Sequence, residues 1–197
     1  MHFDGKVKFL LDLESTQEFI SLRHCILNFE WQKHSNLFNI ADIAFKNSGV
    51  IQFNYNKLMR HIRPQPVYVK DINTLIDVAM PVVENIKSIF PKHNVLKSHF
   101  VALNPSGRQY PHIDSIYYHN FCTRLVIPIT GNDKCVSFIG NEEFNLSIGQ
   151  LYEINNKLIH YSENLGNSIR TYMFVDIYDE GKAYSLNGHY KYSGLVL

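Results

Sequence analysis

The chain reads as an α+β, mainly β fold: helices from the N-terminal half packed around a small antiparallel barrel built by the C-terminal half. Two observations predict it. From about residue 96, short β-rich runs (VLKSHFVAL, CTRLVIPIT, CVSFIG, GQLYEI, IRTYMFVDIY) are separated by turn signals (NPSG, TGND, IGNEE, NLGN). Their spacing of roughly 8 to 15 residues is that of an antiparallel sandwich or barrel. Ahead of that region the texture is helical and mixed, and with 45% apolar and 19% charged residues the chain has enough to fill a core.

Taken in order, KVKFLLDL predicts a short strand and STQEFISLRHCILNFEW a helix, with Ser15 as N-cap and Glu18 three residues on in a capping-box pattern. The segment NLFNIADIAFKNSGVIQFNYNKLMRHIRPQP has no clean period and is assigned short strands and turns, ending at Pro64 and Pro66. DINTLIDVAMPVVENIKSIFPKHN is the stronger helix: Leu75, Ile76, Ala79, Val82, Val83 and Ile86 keep one apolar stripe. Pro81 is expected to kink it and Pro91 to end it. Residues 1–197 are expected to form one domain, with a helical and mixed part at 1–95, the β core at 96–180 and a tail at 181–197. The apolar SGLVL of that tail packs on the barrel or on a neighbouring subunit, so a homo-oligomer stays open.

The charge balance excludes some partners. A net charge of +1 gives no global pull toward nucleic acid or acidic membranes. No run approaches the roughly 18 apolar residues of a membrane span, and the N-terminus has no cleavage-site pattern. Cys25, Cys122 and Cys135 are odd in number and form no C-x-x-C pair, which suits idle thiols in a reducing compartment. A cytoplasmic protein is the expectation.

The chemistry concentrates in QYPHIDSIYYHN, where His112 and Asp114 stand two positions apart. In extended chain, residues i and i+2 face the same side and can reach one metal ion. The tripeptide alone is weak, since His2 and Asp4 repeat it at a terminus that cannot fix ligand geometry. His160, just after the GQLYEI strand, is the candidate third ligand, and Arg170 opens the apolar strand IRTYMFVDIY ten residues later. Two imidazoles and one carboxylate leave three metal positions open, the pattern of non-haem Fe(II) oxygenases. A buried arginine suits a cosubstrate carboxylate, because its fork pairs in bidentate fashion and stays charged when desolvated.

Order and spacing over roughly residues 98 to 178 resemble the 2-oxoglutarate/Fe(II)-dependent dioxygenases of the aspartyl/asparaginyl β-hydroxylase type. FVALNPSGRQYPHID resembles the strand, Pro-x-Gly turn and metal motif of that family. TRLVIPI resembles its Arg-Leu-His-Ile-Pro strand, and IGQLYEINNKLIHYSENLGNSIRTYMFVDIY its run of Gly, Asn, distal His, Asn, Arg and closing Asp. The resemblance implies a double-stranded β-helix, the cupin-like jelly roll. It implies His112, Asp114 and His160 as iron ligands and Arg170 as the 2-oxoglutarate-binding residue. Fe(II), 2-oxoglutarate and O2 are then the cofactor, cosubstrate and oxidant, with succinate and CO2 released as a C–H bond of a free or peptidyl amino acid is hydroxylated. Val126 departs from the pattern, standing where many relatives carry a histidine.

Arg124 is a second candidate for binding cosubstrate or substrate carboxylate, with pairing to Glu153 or Asp176 as the structural alternative. Asp176, Asn155 and Asn164 are read as structural. Tyr117, Tyr118 and His119 are candidates for the pocket mouth, and Lys57, Arg60, His61, Arg63 and Lys70 form a basic face or a site for an anionic group. Nucleic-acid repair by an AlkB-like enzyme is disfavoured, because Asp176 occupies the place of that family's second arginine. The rival from another class is a cupin-like barrel that binds metal or a small acid without turnover.

Overall fold

The computed structural model describes residues 5–31, 45–55, 70–114 and 122–179. Among them are nine strands and two helices: β1 (Val7–Asp12), α1 (Gln17–Leu27), β2 (Phe45–Tyr55), α2 (Lys70–Ile89), β3 (His93–Gln109), β4 (Cys122–Thr130), β5 (Cys135–Ile139), β6 (Glu142–Phe144), β7 (Gln150–Ile154), β8 (His160–Asn164) and β9 (Arg170–Asp179). All strand pairs are antiparallel, in the order β1-β7-β4-β9-β3-β8-β5-β6, with β2 added on β3. This curled antiparallel sheet with few helices is the cupin-like jelly roll that the resemblance implied. The pivot of the curl is β3. Its first part pairs with β9 through Leu103↔Arg170, and its end reaches β8 through Arg108↔Glu163.

Strand alternation sorts the side chains into two apolar bodies. On β9, Met173, Val175 and Ile177 face a core shared with Phe19 and Leu22 of α1 and with Leu75, Ala79, Val82, Val83 and Ile86 of α2. The intervening Tyr172 and Phe174 face inward, with Val101, Leu103, Val126, Tyr152 and Ile154. Both helices thus lie against one outer face of the sheet, and the barrel interior is left to the other set. Each large aliphatic side chain buried in this way contributes about 1.5–3 kcal/mol. No helix among the described residues is long and apolar enough to cross a membrane. The three cysteines are free thiols.

Four expectations need adjustment. The N-cap of α1 is Thr16 rather than Ser15: its Oγ1 accepts from Phe19 N (3.3 Å). Glu18 then falls one place too early for a capping box and acts only as an acid in the first turn, where it suits the helix dipole. The helix ends at Leu27 rather than Trp31, because Asn28 caps it, its N and Nδ2 both donating to His24 O. The segment around residue 50 is not a series of short strands but the eleven-residue β2. The NPSG turn does not end its strand either. The register of β2 on β3 jumps from Ser48↔Leu103 to Lys46↔Arg108, so residues 104–107 bulge out of a strand that continues. Ser106, at φ 61°, marks the kink.

The stripe of α2 is buried as expected, and the helix runs on through Pro81 and stops two residues before Pro91. The Pro64/Pro66 break, the basic residues 57–63, Tyr117 to His119, the terminal His2 and Asp4, and the tail lie outside the described residues.

Two glycines fix the turns that return the chain to the sheet. Gly140, at φ 64°, makes the two-residue hairpin between Ile139 and Glu142. Gly149, at φ 77°, donates to Pro128 O (2.9 Å) and accepts from Leu13 N (2.8 Å), joining β4 and the chain beyond β1 at the start of β7. A Cβ there would lie 2.8 Å from Glu14 Cα. Gly149→Ala is therefore expected to cost at least about 2 kcal/mol, from the left-handed backbone and the overpacking together. A urea midpoint equal to wild type would contradict this close approach.

Candidate metal centre

His112 follows the end of β3, and His160 opens β8. Their backbones exchange two hydrogen bonds, His112 N to His160 O (3.2 Å) and His160 N to His112 O (2.9 Å). Residues directly opposed in such a pair send their side chains to one face. The imidazoles consequently sit together, ring centroids 4.3 Å apart, although 48 positions separate them in the chain. Asp114, two residues beyond His112, is tied by its own N–H to Asn156 O (3.3 Å) and points the same way.

The three side chains form a cluster whose donor atoms all lie within 4.8 Å of one another. His112 Nε2 is 3.8 Å from Asp114 Oδ1, and His160 Nε2 is 3.8 Å from Asp114 Oδ2. The Nδ1–H of His112 donates to Tyr110 O (2.7 Å) and that of His160 to Leu158 O (3.0 Å). This fixes the tautomer in each ring and turns the Nε2 lone pair to the centre, as metal-ligating histidines require. Nε2 of His112 accepts from the Gln109 amide (3.2 Å), a neutral donor that a cation would displace. Two nitrogens and a carboxylate on one side of a common point suit a divalent transition metal with open positions.

A row of charge lies across the inner face beside the cluster. Lys97 on β3, Asp176 on β9 and Arg124 on β4 are direct cross-strand neighbours. Arg124 grips Asp176 with two parallel bonds, Nε to Oδ1 and Nη2 to Oδ2, both 2.8 Å, and Lys97 Nζ stands 3.8 Å from the same carboxylate. The remaining arm of Arg124, Nη1, donates to Asp114 Oδ2. Asn156 Nδ2 reaches that oxygen as well (3.3 Å). Burial alone would lower the pKa of Arg124 and raise that of Asp176. Their mutual attraction reverses both shifts, holding Arg124 above and Asp176 below the ordinary value. Burial lowers the pKa of Lys97 and raises that of the Cys122 thiol.

Arg170 faces the same interior from the far end of β9, six residues from Asp176, or about 20 Å of strand. It is 2% exposed, and its guanidinium lies 4.3 Å from the Tyr172 ring. Nη1 donates to Cys135 O (3.2 Å) and Nη2 to Leu146 O (3.5 Å), while Nε has no hydrogen-bond partner. No acidic side chain of the described residues pairs with it. A buried cation held only by carbonyls is costly unless an anion completes it.

Of the residues singled out from sequence, His112, Asp114 and His160 therefore converge, Arg124 touches the cluster, and Arg170 stands apart from it in the same interior. Val126 lies in the inner apolar body, opposite Phe174 and Tyr152. Asn156 and Lys97 also belong to the site, although no motif in the sequence marks them. The only sequence signal for Asn156 is its place in the NN pair before His160, which does not distinguish it from Asn155. Asn155 caps the turn through Lys157 N, and Asn164 ties Leu103, Asn104 and Ser168 carbonyls together.

Burial lowers the pKa of His160 to about 4, against the pull of Asp114 and of Leu158 O. An unfolded histidine titrates near 6.5, so the unfolded chain takes up the proton first as pH falls. Stability is then lost between about pH 6.5 and 4, by up to about 3 kcal/mol from this residue alone. With a chelator present, the urea midpoint should fall across that window, and His160→Gln should flatten the slope. Equal slopes would show that His160 is not buried neutral.

No family model matches the chain, and no curated protein matches it in sequence. Solved structures do match its fold. A Pseudomonas putida prolyl-4-hydroxylase superposes with a TM-score of 0.54 at 8% identity, covering 89% of this chain and 93% of that one. A Trichoplax adhaerens prolyl hydroxylase, in complex with a peptide fragment of the hypoxia inducible factor oxygen degradation domain, gives 0.53 at 9% identity over 92% and 87%. A viral collagen prolyl hydroxylase from Paramecium bursaria Chlorella virus-1, as its 2OG complex, gives 0.51 at 10% over 88% and 96%. At such identities the likeness is one of fold.

Proposed function

We propose that the protein is a 2-oxoglutarate- and Fe(II)-dependent dioxygenase that hydroxylates a C–H bond of an amino acid, free or within a peptide. The observation that carries this reading is the pairing of two features in one barrel interior. One is a His112/Asp114/His160 cluster with both imidazole tautomers fixed; the other is a buried arginine whose partners are carbonyls. His112, Asp114 and His160 would hold the iron, and Arg170 would bind the distal carboxylate of 2-oxoglutarate. Fe(II) would supply the activation of O2, so that one oxygen atom enters the substrate C–H bond and the other enters succinate as 2-oxoglutarate loses CO2. The chain's own share is to fix the ligands through backbone pairing, to keep water from the interior with Val101, Val126, Tyr172 and Phe174, and to orient the cosubstrate on Arg170.

The fold neighbours support the oxygenase reading, since three of them are described as prolyl hydroxylases and one is a complex with a peptide. The aspartyl/asparaginyl β-hydroxylase type remains the subfamily that the sequence motifs resemble.

The test is succinate release with Fe(II), 2-oxoglutarate and a panel of free amino acids and peptides. His160→Ala is expected to abolish iron binding. Arg170→Ala is expected to weaken 2-oxoglutarate binding about 10- to 100-fold, the worth of charge-assisted hydrogen bonds, while sparing the metal. Iron and acid binding without 2-oxoglutarate consumption on any substrate would favour a non-catalytic cupin-like binding protein. No iron affinity and no turnover together would end the oxygenase reading.

A further inference from the structure

The metal-centre reading assigns Asp114 as a ligand but leaves open what holds a carboxylate at a strand end in one orientation. Two donors converge on its Oδ2: Arg124 Nη1 from β4 and Asn156 Nδ2 from the turn before β8. Both are fixed themselves. Arg124 is 5% exposed and spends its other two donor groups on Asp176, which is fully buried. Asn156 is 3% exposed, and its carbonyl accepts from Asp114 N, so the same residue grips Asp114 by backbone and by side chain. The two oxygens of Asp114 each face one imidazole, Oδ1 at 3.8 Å from His112 Nε2 and Oδ2 at 3.8 Å from His160 Nε2, so the two donors on Oδ2 fix how the whole carboxylate meets the histidines.

We propose that Arg124, braced by Asp176, and Asn156 are positioning residues that hold the Asp114 carboxylate in the orientation it would present to the metal. This inference rests on the metal-centre reading. It also assigns Arg124 to the metal side of the site rather than to cosubstrate or substrate. Charge decides between orientation and repulsion. A lone guanidinium on Asp114 would oppose binding of a dication, but Asp176, which Arg124 shares with Lys97, offsets part of that charge at 2.8 Å, so Arg124 directs the carboxylate at a smaller electrostatic cost. Partners of this kind, acting behind metal ligands, contribute about 10- to 100-fold in metal affinity.

The test uses Co(II) as the probe, with the wild type, Asn156→Ala and the charge-neutral double substitution Arg124→Gln/Asp176→Asn. Three quantities are measured: Co(II) affinity, the visible spectrum of the Co(II) complex, and 2-oxoglutarate affinity at saturating Co(II). Both variants should bind Co(II) about 10- to 100-fold more weakly. Their Co(II) bands should shift, and 2-oxoglutarate affinity at saturating metal should change far less. Should the double substitution fail to fold, as judged by circular dichroism, Asn156→Ala carries the test alone, since it removes one neutral donor. Co(II) affinity within twofold of wild type and an unchanged spectrum would overturn the inference while leaving the metal centre standing. So would a double variant that binds Co(II) normally and loses 2-oxoglutarate. A wild type that binds no Co(II) would remove the metal-centre reading itself, and this inference with it.

Discussion

The reciprocal backbone pair between His112 and His160 is the constraint on which the rest of the site depends. It is a small piece of ladder, two hydrogen bonds of 3.2 and 2.9 Å, yet it decides three things at once. It closes the curl of the sheet where β3 leaves off and β8 begins. It puts two imidazoles on one face. It also sets the depth of Asp114, which follows His112 by one strand period and is pinned to Asn156 O. A register slip of one residue would send one imidazole to the outer surface. The site is thus a property of strand pairing more than of any local motif.

Around that pair the barrel tolerates a concentration of charge that an apolar interior would ordinarily reject. Lys97, Asp176 and Arg124 form one row across three strands, and Asp114 extends it. Buried ions are costly to desolvate, and such pairs seldom add stability over apolar replacements. What the row provides is geometry. Arg124 has its Nε, Nη1 and Nη2 directed at two carboxylates, one of them beside the histidines. The outer core, built with α1 and α2, supplies the apolar burial that offsets this cost.

Much of this could be read in the chain because the signals were of the right length. The apolar stripe of α2 runs from Leu75 to Ile86 within a twenty-residue helix, and the C-terminal strands are short, β-branched and separated by turn residues. Elsewhere local signals competed with long-range pairing. NPSG has the composition of a turn, but β2 pairs on both sides of it and turns it into a bulge. β2 itself has little apolar alternation, since its partner β3 supplies the ladder that its own sequence does not advertise. Ser15 and Thr16 are chemically equivalent caps, and the choice between them depends on where the chain leaves Leu13, whose carbonyl accepts from Thr16 N and Oγ1. The choice between Glu153 and Asp176 as partner of Arg124 needed register. Glu153 opposes Leu125 and so faces the other side of the sheet, whereas Asp176 opposes Arg124 directly.

The two buried arginines of the interior show how one residue type takes opposite parts. Each is nearly inaccessible, each lies on an inward-facing strand position, and each has an aromatic ring beside it, Phe174 at 5.6 Å and Tyr172 at 4.3 Å. Arg124 has two carboxylates of its own chain, so its charge is already answered and its fork is used for direction. Arg170 has two carbonyls and an Nε without a partner, so its charge is answered only in part. Dipoles can orient a guanidinium but do not cancel it, and a low-dielectric interior magnifies the remainder. The end of the barrel that holds Arg170 therefore favours an anion, while the end that holds Arg124 favours a cation placed against the carboxylate that its Nη1 touches. The proposed arrangement, with a metal at one end and an acid reaching toward the other, would satisfy both.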